Sequence, residues 1–198
     1  MTNQAIHFGT SGSRGRIAED FTFAGVRRAA AAIAGRVLAQ KKSPTIIVGY
    51  DTRFSAPEFA LAAAEVLRAQ GCDIRMCTEG TLTPVVAHAI LDGKLDGGVN
   101  ITGSHNPTAY NGLKFSGPDD GPALPEITKD IEKRAAALSD GGANHHEIKN
   151  DFPGVHPRKP YFEQLRKMIR FDVVAKAKGS FLCDAVHAAS SPACWSRK

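Results

Sequence analysis

Residues 100–115 read Asn-Ile-Thr-Gly-Ser-His-Asn-Pro-Thr-Ala-Tyr-Asn-Gly-Leu-Lys-Phe, and the rest of the chain is organised around this stretch. Ser104 supplies a hydroxyl nucleophile, and the neighbouring His105 supplies a ring that can carry a proton. Lys114 follows ten positions after the nucleophile and adds a positive charge. A loop with these three groups suits chemistry on an anionic substrate. The alternative is a polar turn whose Ser, His and Asn side chains only satisfy backbone groups.

The segments on either side of this loop predict two strands. Asp96–Ile101 is predicted to be a strand that delivers Ser104 onto the loop after its C-terminal end. Gly112–Phe115 is predicted to return antiparallel to it. Turn signals stand at residues 106–107 (Asn-Pro) and at residues 111–112 (Asn-Gly).

Upstream, predicted helices and strands alternate. Thr22 is predicted to cap a helix that runs to about Lys42, and the sequence from Ser55 to Glu58 is predicted to be a capping box. The other predicted elements are strands at Thr45–Gly49 and Asp73–Cys77, and helices at Ser55 to about Gln70, Thr83 to about Gly93 and about Pro125 to Leu138. This order predicts an α/β fold, a three-layer α/β/α sandwich with a mixed, mainly parallel sheet.

Two further loops carry residues suited to binding an anion. Residues 8–16 read Phe-Gly-Thr-Ser-Gly-Ser-Arg-Gly-Arg, where Arg14 and Arg16 could clamp a phosphate; the alternative is a flexible surface loop. Asp51 and Arg53 follow the strand Thr45–Gly49, at the edge where α/β folds place their sites. They could equally form a local ion pair that supports the loop.

Composition and charge argue against several classes of function. The 198 residues carry a net charge of +5, but residues 158–198 hold nine Lys+Arg against three Asp+Glu, whereas residues 1–157 hold 16 against 17. The near-neutral body argues against nucleic-acid binding. Neither a signal peptide nor a membrane-spanning run is predicted. The four cysteines form no Cys-x-x-Cys pair, which favours a reduced, cytoplasmic protein.

The C-terminal part is predicted to begin a second unit. Residues 139–157 have the composition of a linker, residues 160–169 predict a helix, and residues 180–187 predict the first strand of a new α/β unit. The chain ends eleven residues later. We therefore expect residues 1–138 to form one domain and residues 158–198 to be the truncated start of another.

Four blocks of sequence together resemble the α-D-phosphohexomutases, the phosphoglucomutase/phosphomannomutase superfamily. They are Phe8–Gly15, Gly49–Ser55, Asp96–Pro107 with its Thr-Gly-Ser-His-Asn-Pro end, and Tyr110–Phe115. The resemblance covers residues 6 to about 138 well and residues 158–188 loosely. It implies an intramolecular phosphotransferase of carbohydrate metabolism that interconverts hexose 1-phosphate and hexose 6-phosphate, so a phosphorylated hexose is the implied substrate.

The resemblance also implies roles for individual residues. It makes Ser104 the phosphoserine, which exchanges its phosphoryl group with the sugar through a hexose bisphosphate, and it makes glucose 1,6-bisphosphate an activator. Lys114 becomes the general acid/base, with His105 orienting the loop or assisting. Mg²⁺ is implied to contact the phosphate on Ser104. The implied phosphate-binding residues are Arg14, Thr10, Ser11, Arg53 and Asn106.

The chain departs from the family pattern in its C-terminal part. Members of the family have four domains, and their Asp-Gly-Asp-x-Asp-Arg metal loop and Glu-x-Ser-Gly-His sugar loop do not occur in this sequence. We therefore expect a truncated chain that binds Mg²⁺ weakly or not at all and is inactive or slow alone. The alternative function is a non-catalytic module that holds a phosphorylated sugar or another subunit. A serine hydrolase is disfavoured because the Gly-x-Ser-x-Gly elbow does not surround Ser104.

Overall fold

The computed structural model describes residues 6–9, 12–121, 123–138, 151–176, 179, 184 and 188–189. They form, in chain order, β1 (Ser13–Arg16), α1 (Phe23–Leu38), β2 (Thr45–Tyr50), α2 (Ala56–Ala69), β3 (Asp73–Cys77), α3 (Thr83–Asp92), β4 (Gly97–Ile101), β5 (Tyr110–Ser116), α4 (Pro125–Ala137), β6 (Gly154–Val155), α5 (Arg158–Met168) and α6 (Phe171–Lys176). None of the helices in this part of the chain has the length and apolarity needed to cross a bilayer. Most of the strand predicted within residues 180–187 lies outside the described residues.

The described strands form one six-stranded sheet in the order β1-β5-β4-β2-β3-β6. Strands β4, β2, β3 and β6 are parallel, whereas β5 is antiparallel to β4 and to β1. Helical crossovers join β2, β3 and β4, and such crossovers return the chain parallel to its previous direction. The short connection after β4 turns β5 back instead. The predicted α/β fold with a mixed, mainly parallel sheet is therefore confirmed.

Apolar clusters cover both faces of the sheet. On one face α1 packs between α2 and α4, and its residues 29–34 are all buried. Five of these six residues are alanines, so the helices approach one another closely. On the other face lies a smaller cluster beneath α3, formed by Ile47, Cys77, Val86 and Ile90. Helix α5 packs against α3 on this side.

The two predicted helix caps have different outcomes. The Thr22 side chain accepts a hydrogen bond from an N–H of the first turn of α1 at 3.1 Å, as predicted. The prediction of a capping box at Ser55 is wrong, because Ser55 has a φ of +53° and its side chain makes no capping hydrogen bond. A side-chain cap requires extended backbone at this position, and the preceding turn places Ser55 in the left-handed region instead. Helix α1 ends at Leu38 rather than near Lys42.

Three segments predicted to be turn, loop or linker belong to strands. Residues 111–112 lie inside β5, and residues 13–16, predicted to be part of a loop, form β1 and pair with them. Residues 154–155, at the end of the predicted linker, form β6 and pair with the end of β3. Residues 139–150 of that linker lie outside the described residues. The local sequence of these strands is rich in Gly, Asn and Arg, so pairing across the sheet decides their conformation.

Candidate active site

Ser104 lies on the loop between β4 and β5, and its side chain is exposed. Its backbone has a φ of +55°, a left-handed conformation that costs a non-glycine residue about 1–2 kcal/mol. The Ser104 N–H donates to Thr102 Oγ1 at 3.0 Å. The Asn106 N–H donates to the Gly103 carbonyl at 3.1 Å and closes the turn. These bonds hold a strained backbone that presents the serine hydroxyl to solvent.

The guanidinium of Arg53 organises this loop. Its two terminal nitrogens donate at 2.6–3.0 Å to four carbonyl oxygens, those of Ser104, Asn106, Pro107 and Tyr110. Its Nε lies 3.3 Å from Asp51 Oδ2, and the other oxygen of that carboxylate accepts from the Arg53 N–H at 2.9 Å. The four N–H donors of the two terminal nitrogens are thereby engaged, and Nε is paired with a carboxylate. Of the two alternatives for Asp51 and Arg53, these contacts fit loop support, and phosphate binding by Arg53 stays a prediction.

Gly103 allows the loop to approach Arg53 closely. A Cβ at Gly103 would lie 2.7 Å from Cζ and from Nε of Arg53. It would also lie 2.9 Å from the Tyr110 carbonyl oxygen, which itself accepts from the guanidinium. Any side chain here would therefore displace the arginine from the loop that carries Ser104.

His105 lies beside the nucleophile. Its Nδ1 is 3.5 Å from Ser104 Oγ, at the outer limit of a hydrogen bond, and both side chains are exposed. A small rotation of either side chain would bring the two atoms to a distance suited to proton transfer. The structure thus brings together two of the three residues predicted to be catalytic.

Lys114 and Arg14 share the face of the sheet that α3 partly covers. Lys114 pairs with Asn100, whose side chain donates to Thr83 of α3 at 3.0 Å, and Arg14 pairs with Gly112 on the same face. Burial lowers the pKa of Lys114, the nearby Arg14 lowers it further, and Asp51 acts in the opposite direction. Lys114 therefore gives up its proton more readily than an exposed lysine does.

Gly12 brings the segment before β1 onto Lys114. Its φ is +115°, and a Cβ there would lie 2.5 Å from the Leu113 carbonyl oxygen and 2.9 Å from Lys114 Cγ. Both the conformation and the space at this position therefore exclude a side chain.

We expect Gly12→Ala to lower the free energy of unfolding by about 2–4 kcal/mol, because it combines backbone strain with a clash. Gly71→Ala is the matched control, since Gly71 has a φ of +108° but a Cβ there meets nothing closer than Leu38 Cδ2 at 4.0 Å. It should cost only about 1 kcal/mol. Urea unfolding of both variants measures the difference, and equal losses would contradict the close packing of Gly12 on Lys114.

The remaining residues of the predicted site are only partly accounted for. Thr10 and Ser11 lie outside the described residues. Asn106 is half-buried and contributes backbone bonds to the turn and to Arg53. Thr102 is a further residue of the site that the sequence prediction does not include, and its hydroxyl accepts from the Ser104 N–H. The signal for it was present, because a threonine two residues before a residue in a tight turn is a common local acceptor.

The described residues do not by themselves fit a Mg²⁺ site. Among them no group of three or more His, Cys, Asp or Glu side chains lies close enough together to hold a metal ion. The carboxylate of Asp51 is committed to Arg53. A hard cation with a preference for several oxygen ligands would find too few of them near Ser104.

The chain matches known proteins along most of its length. Residues 5–141 match the model of the phosphoglucomutase/phosphomannomutase α/β/α domain I. The phosphoglucosamine mutase of Leuconostoc citreum is 37% identical over 174 residues, which cover 84% of this chain and 38% of that protein. The phosphoglucomutase of Komagataeibacter xylinus is 28% identical over 207 residues, covering 96% of this chain and 37% of that protein.

A solved structure agrees with these matches. A Thermus thermophilus protein described as a phosphomannomutase superposes with a TM-score of 0.78 at 32% identity, covering 88% of this chain and 38% of that one. The chain thus spans less than two fifths of the length of these relatives. Because the family model covers more than half of the chain and matches the domain that carries the Ser104 loop, the chain belongs to the phosphoglucomutase/phosphomannomutase family.

Proposed function

We propose that this chain is the phosphoryl-accepting domain of a phosphohexomutase, an enzyme that interconverts hexose 1-phosphate and hexose 6-phosphate through a phosphoserine and a hexose bisphosphate. The observation that carries the proposal is the exposed, strained Ser104 on a loop fixed by Arg53. In the same proposal residues 1–138 are the catalytic domain, residues 139–157 are a linker, and residues 158–198 begin a second domain.

The proposed step transfers one phosphoryl group to Ser104. The serine Oγ attacks the phosphorus of a hexose bisphosphate, so that an Oγ–P bond forms while the P–O bond to the sugar breaks. The hydroxyl proton leaves Oγ, and the released sugar oxygen takes up a proton, so protons and charge balance. His105, with Nδ1 at 3.5 Å from Oγ, is placed to accept the first proton.

Lys114 is the proposed group that protonates or deprotonates the sugar oxygen. Its lowered pKa makes it a better proton donor and a more accessible base than an ordinary lysine. Together with Arg14 it also supplies positive charge for the phosphate dianion. No step is assigned to Mg²⁺, because the described residues offer too few oxygen ligands for it.

The proposal is tested by following the sugar product. The chain is incubated with an equimolar amount of glucose 1,6-bisphosphate, and ³¹P NMR follows the bisphosphate and the monophosphates. We expect one equivalent of glucose monophosphate to appear as the chain becomes phosphorylated. Saturable binding of the bisphosphate without any monophosphate would instead favour the alternative, a non-catalytic phosphosugar-binding module.

We expect Lys114→Met to slow this transfer by about 10²-fold, the usual contribution of an acid/base group. The same variant should be more stable than the parent at neutral pH, by about 0.5 kcal/mol for a partly exposed charge. The variant gains stability because the lowered pKa of Lys114 means that the folded chain disfavours the ammonium form. This penalty is fully present at neutral pH. It is lost as the pH rises through the lowered pKa towards the ordinary value of 10.5.

Urea unfolding at several pH values measures the difference in stability between the parent and Lys114→Met. This gap in the free energy of unfolding should shrink as the pH rises. Lys133→Met, on an exposed position of α4, is the control and should change neither the transfer rate nor the gap. A Lys114→Met variant that is less stable at neutral pH would mean that the Lys114 charge is stabilised by Asp51 more than it is penalised by burial.

A further inference from the structure

A cavity of about 500 Å³ lies on the α3 side of the sheet. Its wall includes Thr45 at the start of β2 and Asp96 just before β4. These strands are parallel and end at the edge that carries Arg53 and Ser104, so this part of the wall lies towards the opposite edge. Val155, in the same wall, pairs with Cys77 at the end of β3. Its volume is in the range of pockets that bind metabolite-sized ligands.

Arg75 of β3 brings an uncompensated positive charge to this cavity. Its side chain is half-buried and lines the wall. Among the described residues its guanidinium has no carboxylate partner, and its hydrogen bond is a long contact of 3.5 Å to the Ile74 carbonyl. By contrast, Lys41 in the same wall is neutralised by Asp96, with both carboxylate oxygens at 2.8–2.9 Å. A half-buried guanidinium without a carboxylate partner is suited to an incoming oxyanion.

His88 of α3 adds an unsatisfied polar atom to the same wall. Its Nδ1 is shielded from solvent and has no hydrogen-bond partner in the described part of the chain. The ring packs edge-on against Tyr161 of α5, with 5.8 Å between centroids, so it is held in place by α5. A ring nitrogen without a partner can bond to a ligand oxygen once the ring turns towards the cavity.

Apolar side chains also contribute to the wall. These side chains come from β2, α3, the segment before β4, β6 and the start of α5, namely Ile47, Ala89, Leu95, Val155, Pro157 and Pro160. The charged residues at its mouth, Asp92 and Lys94, are exposed and of opposite sign. The wall therefore combines apolar side chains with polar and charged ones, and among its charges Arg75 on β3 has no carboxylate partner in the described part of the chain. This combination fits an anion that carries an apolar body.

We propose that this cavity binds a small organic anion with an apolar body, whose carboxylate or phosphate group meets Arg75 and His88. The site is separate from Ser104 and is independent of the phosphohexomutase proposal. The site is formed on the face of the sheet that α3 covers, by residues of β2, β3 and α3 and by the segment that leads into α5. Binding there should therefore affect residues on β2, β3, α3 and α5 and leave the Ser104 loop unchanged.

The test is a titration of the ¹⁵N-labelled chain with phenyl phosphate and, separately, with benzoate, followed by amide chemical shifts. We expect saturable shifts in residues 45–47, 74–76 and 88–95 for at least one of the two anions, and the stronger binder identifies the group recognised. Benzyl alcohol, which has the same apolar body without the charge, should bind at least about tenfold more weakly. Equal binding of benzyl alcohol would overturn the proposal.

Two variants test the assignment of the charge. Arg75→Met keeps the aliphatic part of the side chain and should weaken the binding of the anion about tenfold or more. Lys94→Met removes an exposed charge at the mouth and should change binding less than about twofold. His88→Phe retains the ring packing against Tyr161 and should also weaken the binding of the anion. If Arg75→Met fails to fold, His88→Phe tests the proposal in its place. Unchanged affinity in Arg75→Met or in His88→Phe, or shifts confined to the Ser104 loop, would overturn the proposal.

Discussion

Replacing Ser104 by alanine is expected to abolish transfer of the phosphoryl group to the chain, with a loss of at least about 10⁴-fold in rate. The serine Oγ is the atom that forms the new bond, and no other hydroxyl of the described loop shares its exposed, strained position. The fold should be unaffected, because the one hydrogen bond of the Ser104 hydroxyl to a described residue is the 3.5 Å contact with His105. The free energy of unfolding should change by less than about 0.5 kcal/mol.

The rate of transfer is measured by radiolabel from ³²P-glucose 1,6-bisphosphate, and the fold by circular dichroism and urea unfolding. Ser43→Ala is the matched control, since Ser43 is also exposed but lies before β2, at the opposite edge of the sheet. It should label like the parent. Label that persists in Ser104→Ala would show that another residue is the nucleophile.

Replacing Arg53 by lysine is expected to lower both the stability of the chain and the rate of transfer. The lysine keeps the charge but cannot reach four carbonyl oxygens and a carboxylate at once. Charge-assisted hydrogen bonds contribute about 1.5–3 kcal/mol each and do not add fully, so a loss of about 2–4 kcal/mol is expected. Transfer should slow about tenfold or more, because the Ser104 loop loses its support.

The control for this variant is Arg36→Lys. Arg36 of α1 donates to Asp130 of α4 at 3.0 Å, on the face of the sheet that α1 covers, and contacts no residue of the Ser104 loop in the described part of the chain. Its replacement should cost less than about 1 kcal/mol and leave transfer unchanged. If Arg53→Lys labels at the parent rate although its stability is reduced, then Arg53 supports the fold and does not position the serine.

The sequence predicted the elements whose pattern is local. The apolar run of β2, the alternation of helices and strands, and the Thr22 cap all follow from the identities of neighbouring residues, and the structure has them. Strand β1 was not predicted, because the residues of Ser-Arg-Gly-Arg have a low intrinsic preference for strands. It is a strand because its residues pair with residues 110–113 of β5, nearly a hundred positions away.

The sequence predicted which residue types form the candidate site, but it predicted their arrangement only in part. Ser104, His105 and Lys114 could be selected because nucleophile, imidazole and cation are recognisable residue types. The role of Arg53 could not be decided, since an arginine after a strand is equally suited to a phosphate or to a ring of carbonyl oxygens. Only the fold places the Ser104 loop directly over the guanidinium, and only the fold shows why Gly103 has no room for a side chain.

The central claim, that Ser104 accepts a phosphoryl group, is tested most directly by mass spectrometry of the chain after incubation with Mg²⁺ and glucose 1,6-bisphosphate. The intact mass reports whether a phosphoryl group is added, and peptide mapping reports where it is. We predict a single added phosphoryl group on Ser104, absent from Ser104→Ala. An unmodified chain whose circular dichroism shows an intact fold would contradict the claim, and so would a phosphoryl group on any other residue.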